Sequence, residues 1–454
     1  MKRQKRRRGI SLGTVVILLW TLMVLGCVML IFPKLSGDTQ VKIDTSSMLQ
    51  VLSLSDGLPE LSLSEIPIAG SSPSFTAVPD VTATAEPQQS VSATAQPVVQ
   101  PTAAPVITPT PGGSFTLTIG GSINMDDALR KSGYYSESQK YDFSEFFTLI
   151  ESELTGDVVL LSLENLVIPD KKVSALNAPE DVLTALHQAG ADVLTLGFPK
   201  VFDQKLTGVT ATLTAAGEVG LHTIGAYANE TDVGGLMLDI NGVQVGFLHY
   251  TQSLSSTGKK AMKSTDAAFA VSLLSAEQAE KDMASLRARG AQAIVVSVHW
   301  DGSKSTPTST QTEVAQQLAN AGADVIVGTG TGIVQPAVWL EAVRSDGSRQ
   351  QVLCAYSLGS LLNAERNNGD VASMLLQLRL NVDASGHVTV AQAAYTPTYI
   401  WRYKQDGKYY YRIVASDQPS PDGMGDEQTE VKERALTNLQ KYLGEDSVLT
   451  IRSK

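Results

Sequence analysis

The residues best placed to do chemistry lie where apolar runs stop. The run "ADVIV" ending at Val327 leads into Gly328-Thr329-Gly330-Thr331-Gly332 and then Gln335-Pro336. A loop at the end of a buried strand is where α/β proteins place binding and catalytic groups, yet this one carries no acid, base or metal ligand. It offers main chain instead. Successive N–H groups of such a turn can form an anion-binding nest; Thr329 and Thr331 can add hydroxyls, and Lys200 in "FPK" can add a cation. A tight turn using Gly330 and Gly332 for positive φ is the simpler use of the same residues. His299 ends "VSVH" and His249 ends "GFLH", so the two can face one cleft. His299, beside Trp300, can equally close a core strand with its ring bonded to a carbonyl. Glu164 and Asn165 in "SLEN" can bond loop amides, and Asp203 precedes a helical pattern it can cap. Asp126 and Asp127 suit the first turn of a helix.

The elements that must position these residues alternate from residue 115 onward. Strand patterns "FTLTIGG", "DVVLLSLEN", "ADVLTLG", "AQAIVVSVHWDG" and "ADVIVGTG" are separated by helical patterns "YDFSEFFTLIESEL", "APEDVLTALHQAG", "KLTGVTATLTAAGEVG", "SAEQAEKDMASLRARG" and "TQTEVAQQLANAG". "GLMLDINGVQVGFLHYT" reads as a hairpin turning at Asn241-Gly242. After residue 350 the strands "QVLCAYSLGS", "MLLQLRLNV" and "HVTVAQAAYTP" follow with little helix between them. This is a mixed α/β layered domain over 114–415, without internal repeat. In "YTPTYIWRYKQDGKYYYRIVAS", Tyr399, Trp401 and Tyr403 share one face of a strand, either as a contact surface or as edge packing. The remainder, 416–454, holds an amphipathic helix with Leu436, Leu439 and Leu443 toward the core.

The N-terminus sets the expected location. Residues 1–9 hold six basic side chains, and the 23 residues from Ile10 to Phe32 carry no charge. At 1.5 Å per residue that run spans a hydrocarbon core of roughly 30 Å. The basic tail is expected to stay cytoplasmic and the remainder to lie outside a cell membrane crossed once by residues 10–32. Residues 33–113 form an expected disordered spacer, with ten of the 19 prolines between Pro59 and Pro111 and no Lys or Arg from 45 to 111. The net charge is −11, and −17 without the tail's six cations, which argues against nucleic acid as a partner. Cys27 and Cys354 provide no intrachain disulfide framework.

Taken in order, "TIGGSINM", "DVVLLSLEN", "NAPEDVLTALHQAGADVLTLG", "NGVQVGFLHYT", "IVVSVHWDG", "QLANAGADVIVGTGTGIVQP" and "AYSLGS" resemble the bacterial capsule synthesis protein CapA family. This is the poly-γ-glutamate-associated branch of the calcineurin-like metallophosphoesterases. The resemblance runs from about residue 115 to about 415 and implies an αββα sandwich. It further implies a role in making, exporting or anchoring a surface polymer. In the family pattern the glycine-rich loop is Gly-His-His-Pro-His, which places histidines at Thr329, Gly330 and Gly332; none is present. The family's Gly-Asp is here Gly120-Gly121. Its Asn-Leu-Glu is Ser162-Leu163-Glu164, and its Asn-Asn-His is Phe198-Pro199-Lys200, although Asp203 survives. His299 and the Tyr356–Gly359 run also survive, with Ser360 replacing an Asn.

Phosphate-ester hydrolysis by two cations needs several N or O ligands for each, and a protonated Lys200 would repel them. The favoured expectation is therefore a non-catalytic scaffold or binding component, a pseudo-metallophosphoesterase without cofactor. Its partners would be a surface polymer or the membrane-bound machinery that makes or exports it. The alternative is a metal-dependent hydrolase or transferase with a rearranged site, in which a divalent metal sits among His299, Glu164, Asp203 and His249.

Overall fold

In this computed structural model, residues 112–365 and 372–452 are described. The expected basic tail, the membrane helix over 10–32, and the spacer apart from residues 112 and 113 lie outside them. No helix among the described residues is long and apolar enough to cross a membrane.

The chain runs through β1 (Gly113–Ile123), α1 (Asp127–Gly133), β2 (Tyr134–Tyr135), β3 (Lys140–Tyr141), β4 (Val158–Leu163), α2 (Asp181–Gln188), β5 (Val193–Thr195), α3 (Lys205–Glu218) and β6 (His222–Ile224). It continues with β7 (Leu236–Ile240), β8 (Val243–Thr251), α4 (Ser256–Lys263), α5 (Ala276–Ala288), β9 (Ala293–His299), α6 (Ser309–Ala321), β10 (Val325–Thr329), β11 (Val334–Val343) and β12 (Arg349–Leu358). The last elements are β13 (Ser360–Leu362), β14 (Ala372–Val382), β15 (Val388–Gln405), β16 (Lys408–Ala415), α7 (Asp426–Leu443) and β17 (Thr450–Ile451). One sheet has the order β16-β15-β14-β1-β4-β5-β6, and the other β11-β12-β10-β9-β8-β7.

Period-2 alternation within fully apolar strands builds four layers. Phe115, Leu117, Val158 and Leu160 of the first sheet meet Val245, Phe247, Val295 and Val327 of the second in a central core. Val159, Leu161 and Leu194 on the other face of the first sheet pack against α2 and α3 through Val182, Leu186 and Val209. Ile294, Val296 and Ile326 on the outer face of the second sheet pack against α5 and α6 through Met283, Leu286 and Leu318. The result is the mixed α/β sandwich expected from the sequence.

Three local expectations are revised. "YDFSEFFTLIESEL" forms two short 3₁₀ turns, Ser144–Phe146 and Glu151–Glu153, in place of an α-helix. Phe143, Phe146, Phe147, Ile150 and Leu154 are all buried, and drawing five such side chains into the core overrides the helical spacing. Strand β11, which takes in Gln335 and Pro336 of the expected loop exit, adds an edge to the second sheet that the loop reading did not anticipate. In α7 the core side chains are Ala435, Leu439 and Leu443, while Leu436 is only half-buried.

The Asn241-Gly242 turn has φ of 54° and 83°, the left-handed pair that a type I′ turn demands. Tyr399 and Trp401 are buried in the central core, and Tyr403 stacks on Tyr410 at 5.5 Å. Most of the aromatic stripe is thus edge packing of β15 and β16, with Tyr409 exposed.

Candidate functional site

The inner face of the second sheet changes character at its carboxyl end. Along β8, β9 and β10 the inward rows are apolar until His249, Ser297, His299 and Thr329. The parallel register sets His249 beside Ser297 and His299 beside Thr329. Polar groups between two sheets must find partners there or at the cleft beyond.

His249 finds both of its partners inside. Nδ1 lies 2.5 Å from Ser297 Oγ and Nε2 lies 2.8 Å from the Gly197 carbonyl. The neutral ring therefore donates from Nε2 and accepts the Ser297 hydroxyl at Nδ1. Burial lowers its pKa from the ordinary 6.5 to about 4, against the opposing pull of the Gly197 carbonyl. A Cβ added at Gly197 or Gly225 would come within 2.4 Å of the ring, so the two glycines make room for it.

His299 instead reaches across to the first sheet. Its Nε2 donates to Glu164 Oε1 at 3.1 Å, joining the ends of β9 and β4. Its Nδ1 is buried without a hydrogen-bond partner among the described residues, as is the neighbouring Thr329 Oγ1. Burial pushes the Glu164 carboxyl up. The hydrogen bond and charge of His299, with a hydrogen bond from Ser122, outweigh it and leave Glu164 below its ordinary value, hence ionised at neutral pH. Ser122 also ties in the glycine-rich loop, its Oγ accepting from Gly330 N at 3.2 Å.

Gly330 and Gly332 have φ of 89° and 72°. A Cβ at Gly330 would stand 2.5 Å from the Trp300 carbonyl and 2.7 Å from His299 Nδ1, so the loop's close approach requires glycine. The Thr331 hydroxyl is taken internally, at 2.7 Å from both the Ile333 carbonyl and Ser357 Oγ. Lys200 is exposed and is not among the residues lining the cleft above this loop. Asp203 accepts from Ser255 Oγ, which in turn caps α4 by accepting from Gly258 N at 2.9 Å. The residue preceding α3 is Gln204, without a side-chain cap, so Asp203 braces a neighbouring helix rather than its own.

The cleft itself has a volume of about 530 Å³ and opens at the carboxyl ends of both sheets. Glu164, Gly330, Thr331 and Gly332 line it, as the strand-end argument expects. Ser122, Asn124, Asn363 and Glu365 line it too, and sequence reasoning missed them. Their signals were weak. Ser122 hides behind a glycine pair in β1, and "NAE" lies just past the familiar "YSLGS".

A two-cation centre does not fit these residues. Glu164 and Nε2 of His299 are bonded to one another, which leaves only Nδ1 of that ring over; both nitrogens of His249 are occupied, and Asp203 is bonded to Ser255. Among the described residues, no three His, Cys, Asp or Glu side chains gather as one metal would need.

Comparison with known proteins places the chain. Residues 116–365, more than half of its length, match the family described as bacterial capsule synthesis protein PGA_cap. The chain belongs to this capsule synthesis family. The relationship read from the order of the strand-end sequences is thereby borne out. A relative, capsule biosynthesis protein CapA of Bacillus anthracis, is 29% identical over 210 residues, covering 45% of this chain and 48% of the relative. The match thus spans about half of that relative's length. Among solved structures, a hypothetical protein from Thermus thermophilus is 15% identical, with a TM-score of 0.37 over 63% of this chain and 98% of the other. The calcineurin-like phosphoesterase YfkN from Bacillus subtilis is 13% identical, with a TM-score of 0.36 over 73% of this chain and 99% of the other.

Against the capsule synthesis family pattern, the local backbone explains why two positions cannot simply regain their ligands. A Cβ at Gly121 would lie 2.2 Å from the Gly359 carbonyl, leaving no room for an aspartate. A histidine at Gly330 would face the Trp300 carbonyl and His299 in a left-handed conformation.

Proposed function

We propose that this protein is a membrane-anchored, extracytoplasmic component of capsule or poly-γ-glutamate-type polymer production. In this role it binds polymer or its assembly machinery in the strand-end cleft without hydrolysing it. Family membership and the name of the Bacillus anthracis relative support the capsule role. The observation that carries the non-catalytic part is the Glu164–His299 pair: the cleft's carboxylate and the histidine behind it hold each other across the sandwich, and among the described residues no third His, Cys, Asp or Glu joins them. Such a pair fixes the cleft's shape, as a cross-brace does, rather than presenting open coordination positions. The uncharged run over 10–32 and the spacer behind it support the membrane location.

Surface polymer isolated from the host, applied to the immobilised full chain, tests the binding claim. Retention that is unchanged by EDTA agrees with it, and retention abolished by EDTA contradicts it. Deleting the gene should lower the amount of polymer at the cell surface. For the anchor, the protein should stay with membranes through alkaline carbonate extraction; release into the supernatant would count against residues 10–32 as a span.

A further inference from the structure

The charge of the cleft's lining points away from the anions that the glycine-rich loop alone would suggest. Among the described residues that line it, Asp126, Glu164 and Glu365 are acids and none is Lys, Arg or His. Asp126 is spent on structure: Oδ1 accepts from Ala128 N at 2.8 Å and Leu129 N at 3.1 Å, and Oδ2 from Ala364 N at 2.7 Å. Glu164 keeps part of its carboxylate open to the cleft, with its side chain 18% exposed, and Glu365 is exposed at the rim. Asn363, only 8% exposed, lines the same cavity, and its Oδ1 has no hydrogen-bond partner among the described residues. A buried amide oxygen without a donor is a standing demand for one.

We propose that the cleft recognises a primary ammonium group, such as that of an amino-sugar unit, through Glu164, Glu365 and Asn363. The assignment rests on the binding reading above and narrows it to polymers that carry amino groups, so that the carboxylate-rich poly-γ-glutamate falls outside it. An ammonium brings three donors, a positive charge and no acceptor, which matches two carboxylates and an unmet amide oxygen. Hydroxyls of the same unit can bond Asn124, Ser303 and Ser360, which also line the cavity. A carboxylate or phosphate entering here meets like charge at Glu164 and Glu365, and no Lys, Arg or His among the described residues lining the cleft offsets it.

Saturation-transfer difference NMR on the full chain in detergent, below neutral pH, compares three probes: glucosamine, N-acetylglucosamine and glucuronate. The expected result is a signal for glucosamine that weakens on acetylation, is absent for glucuronate, and falls about tenfold in Glu164→Gln, as loss of one charge-assisted contact implies. Glu365→Gln, at an exposed position, gives a second reading of the same charge if Glu164→Gln does not fold. Arg366 follows Glu365 in sequence and lies outside the described residues; Arg366→Ala should leave the glucosamine signal in place. The proposal is overturned by a glucuronate signal equal to that of glucosamine, or by no glucosamine signal. A signal that survives both glutamate changes, or that vanishes in Arg366→Ala, also overturns it. Any of these with EDTA-resistant polymer binding removes the ammonium assignment alone, whereas EDTA-sensitive binding removes the reading beneath it.

Discussion

Acidification should destabilise this fold through His249, whose ring burial holds in its neutral form. The ring is 1% exposed, and both nitrogens are used in its neutral form. Its pKa falls from 6.5 in the free side chain to about 4 in the fold, so between those values the unfolded chain binds the extra proton. Stability from this group is complete above the unfolded value and is lost as pH falls toward the folded one. A gap of that size corresponds to about 3 kcal/mol in full, of which about 2 kcal/mol is gone on moving from about pH 7.5 to about pH 5. Other groups, Glu164 among them, also favour higher pH, so the comparison must isolate the histidine. Urea midpoints of the full chain and of His249→Gln at both pH values do this, because the glutamine keeps an amide donor and acceptor but does not titrate. The wild type should lose about 2 kcal/mol more than the variant over the interval. Equal losses in the two proteins would show that His249 is not held neutral between Gly197 and Ser297.

Three further outcomes follow from the geometry. Gly330→Ala should lower thermal stability by about 2 kcal/mol or more, since its Cβ would collide with the Trp300 carbonyl in a left-handed backbone; an unchanged melting temperature would mean that the loop sits elsewhere. Asp324 is buried, with Oδ2 at 2.7 Å from both Arg287 Nη2 and Ile294 N and Oδ1 at 3.4 Å from Arg344 Nη2. Asp324→Ala should therefore cost about 3 kcal/mol by urea denaturation, because two arginines lose their counter-charge. Ser255→Ala, which uncaps α4 and releases Asp203, should cost about 1 kcal/mol by the same assay and leave polymer retention unchanged. Loss of retention would draw Asp203 back into the functional site.

The layers were legible in the sequence because their signals are local. Alternating Val, Ile and Leu runs gave the strands, Asn241-Gly242 gave the hairpin, and Gly328–Gly332 marked the loop at the cleft. The aromatic-rich segment over Phe143–Leu154 was misread because burial of its side chains, a tertiary effect, outweighs helical spacing. The site was legible only in part. His299 and Glu164 stood out one by one, but their contact spans 135 positions and depends on how the two sheets face each other. The Thr331 hydroxyl and the ring of His249 looked available in sequence; their internal partners, Ser357 and Ser297, are set by strand register. Asn363 and Glu365 gave only a weak signal, because an asparagine and a glutamate in a loop are ordinary until a cavity is seen beside them.

Metal content of the purified full chain, after loading with Mn²⁺, Zn²⁺ or Fe²⁺ and alongside a phosphodiesterase assay, tests the central claim most directly. A cleft braced by Glu164 and His299 predicts no stoichiometric metal, no turnover, and no difference in either between the wild type and His299→Ala. Stoichiometric metal that disappears in His299→Ala, accompanied by hydrolysis, would contradict it and make this pair part of a working metal centre.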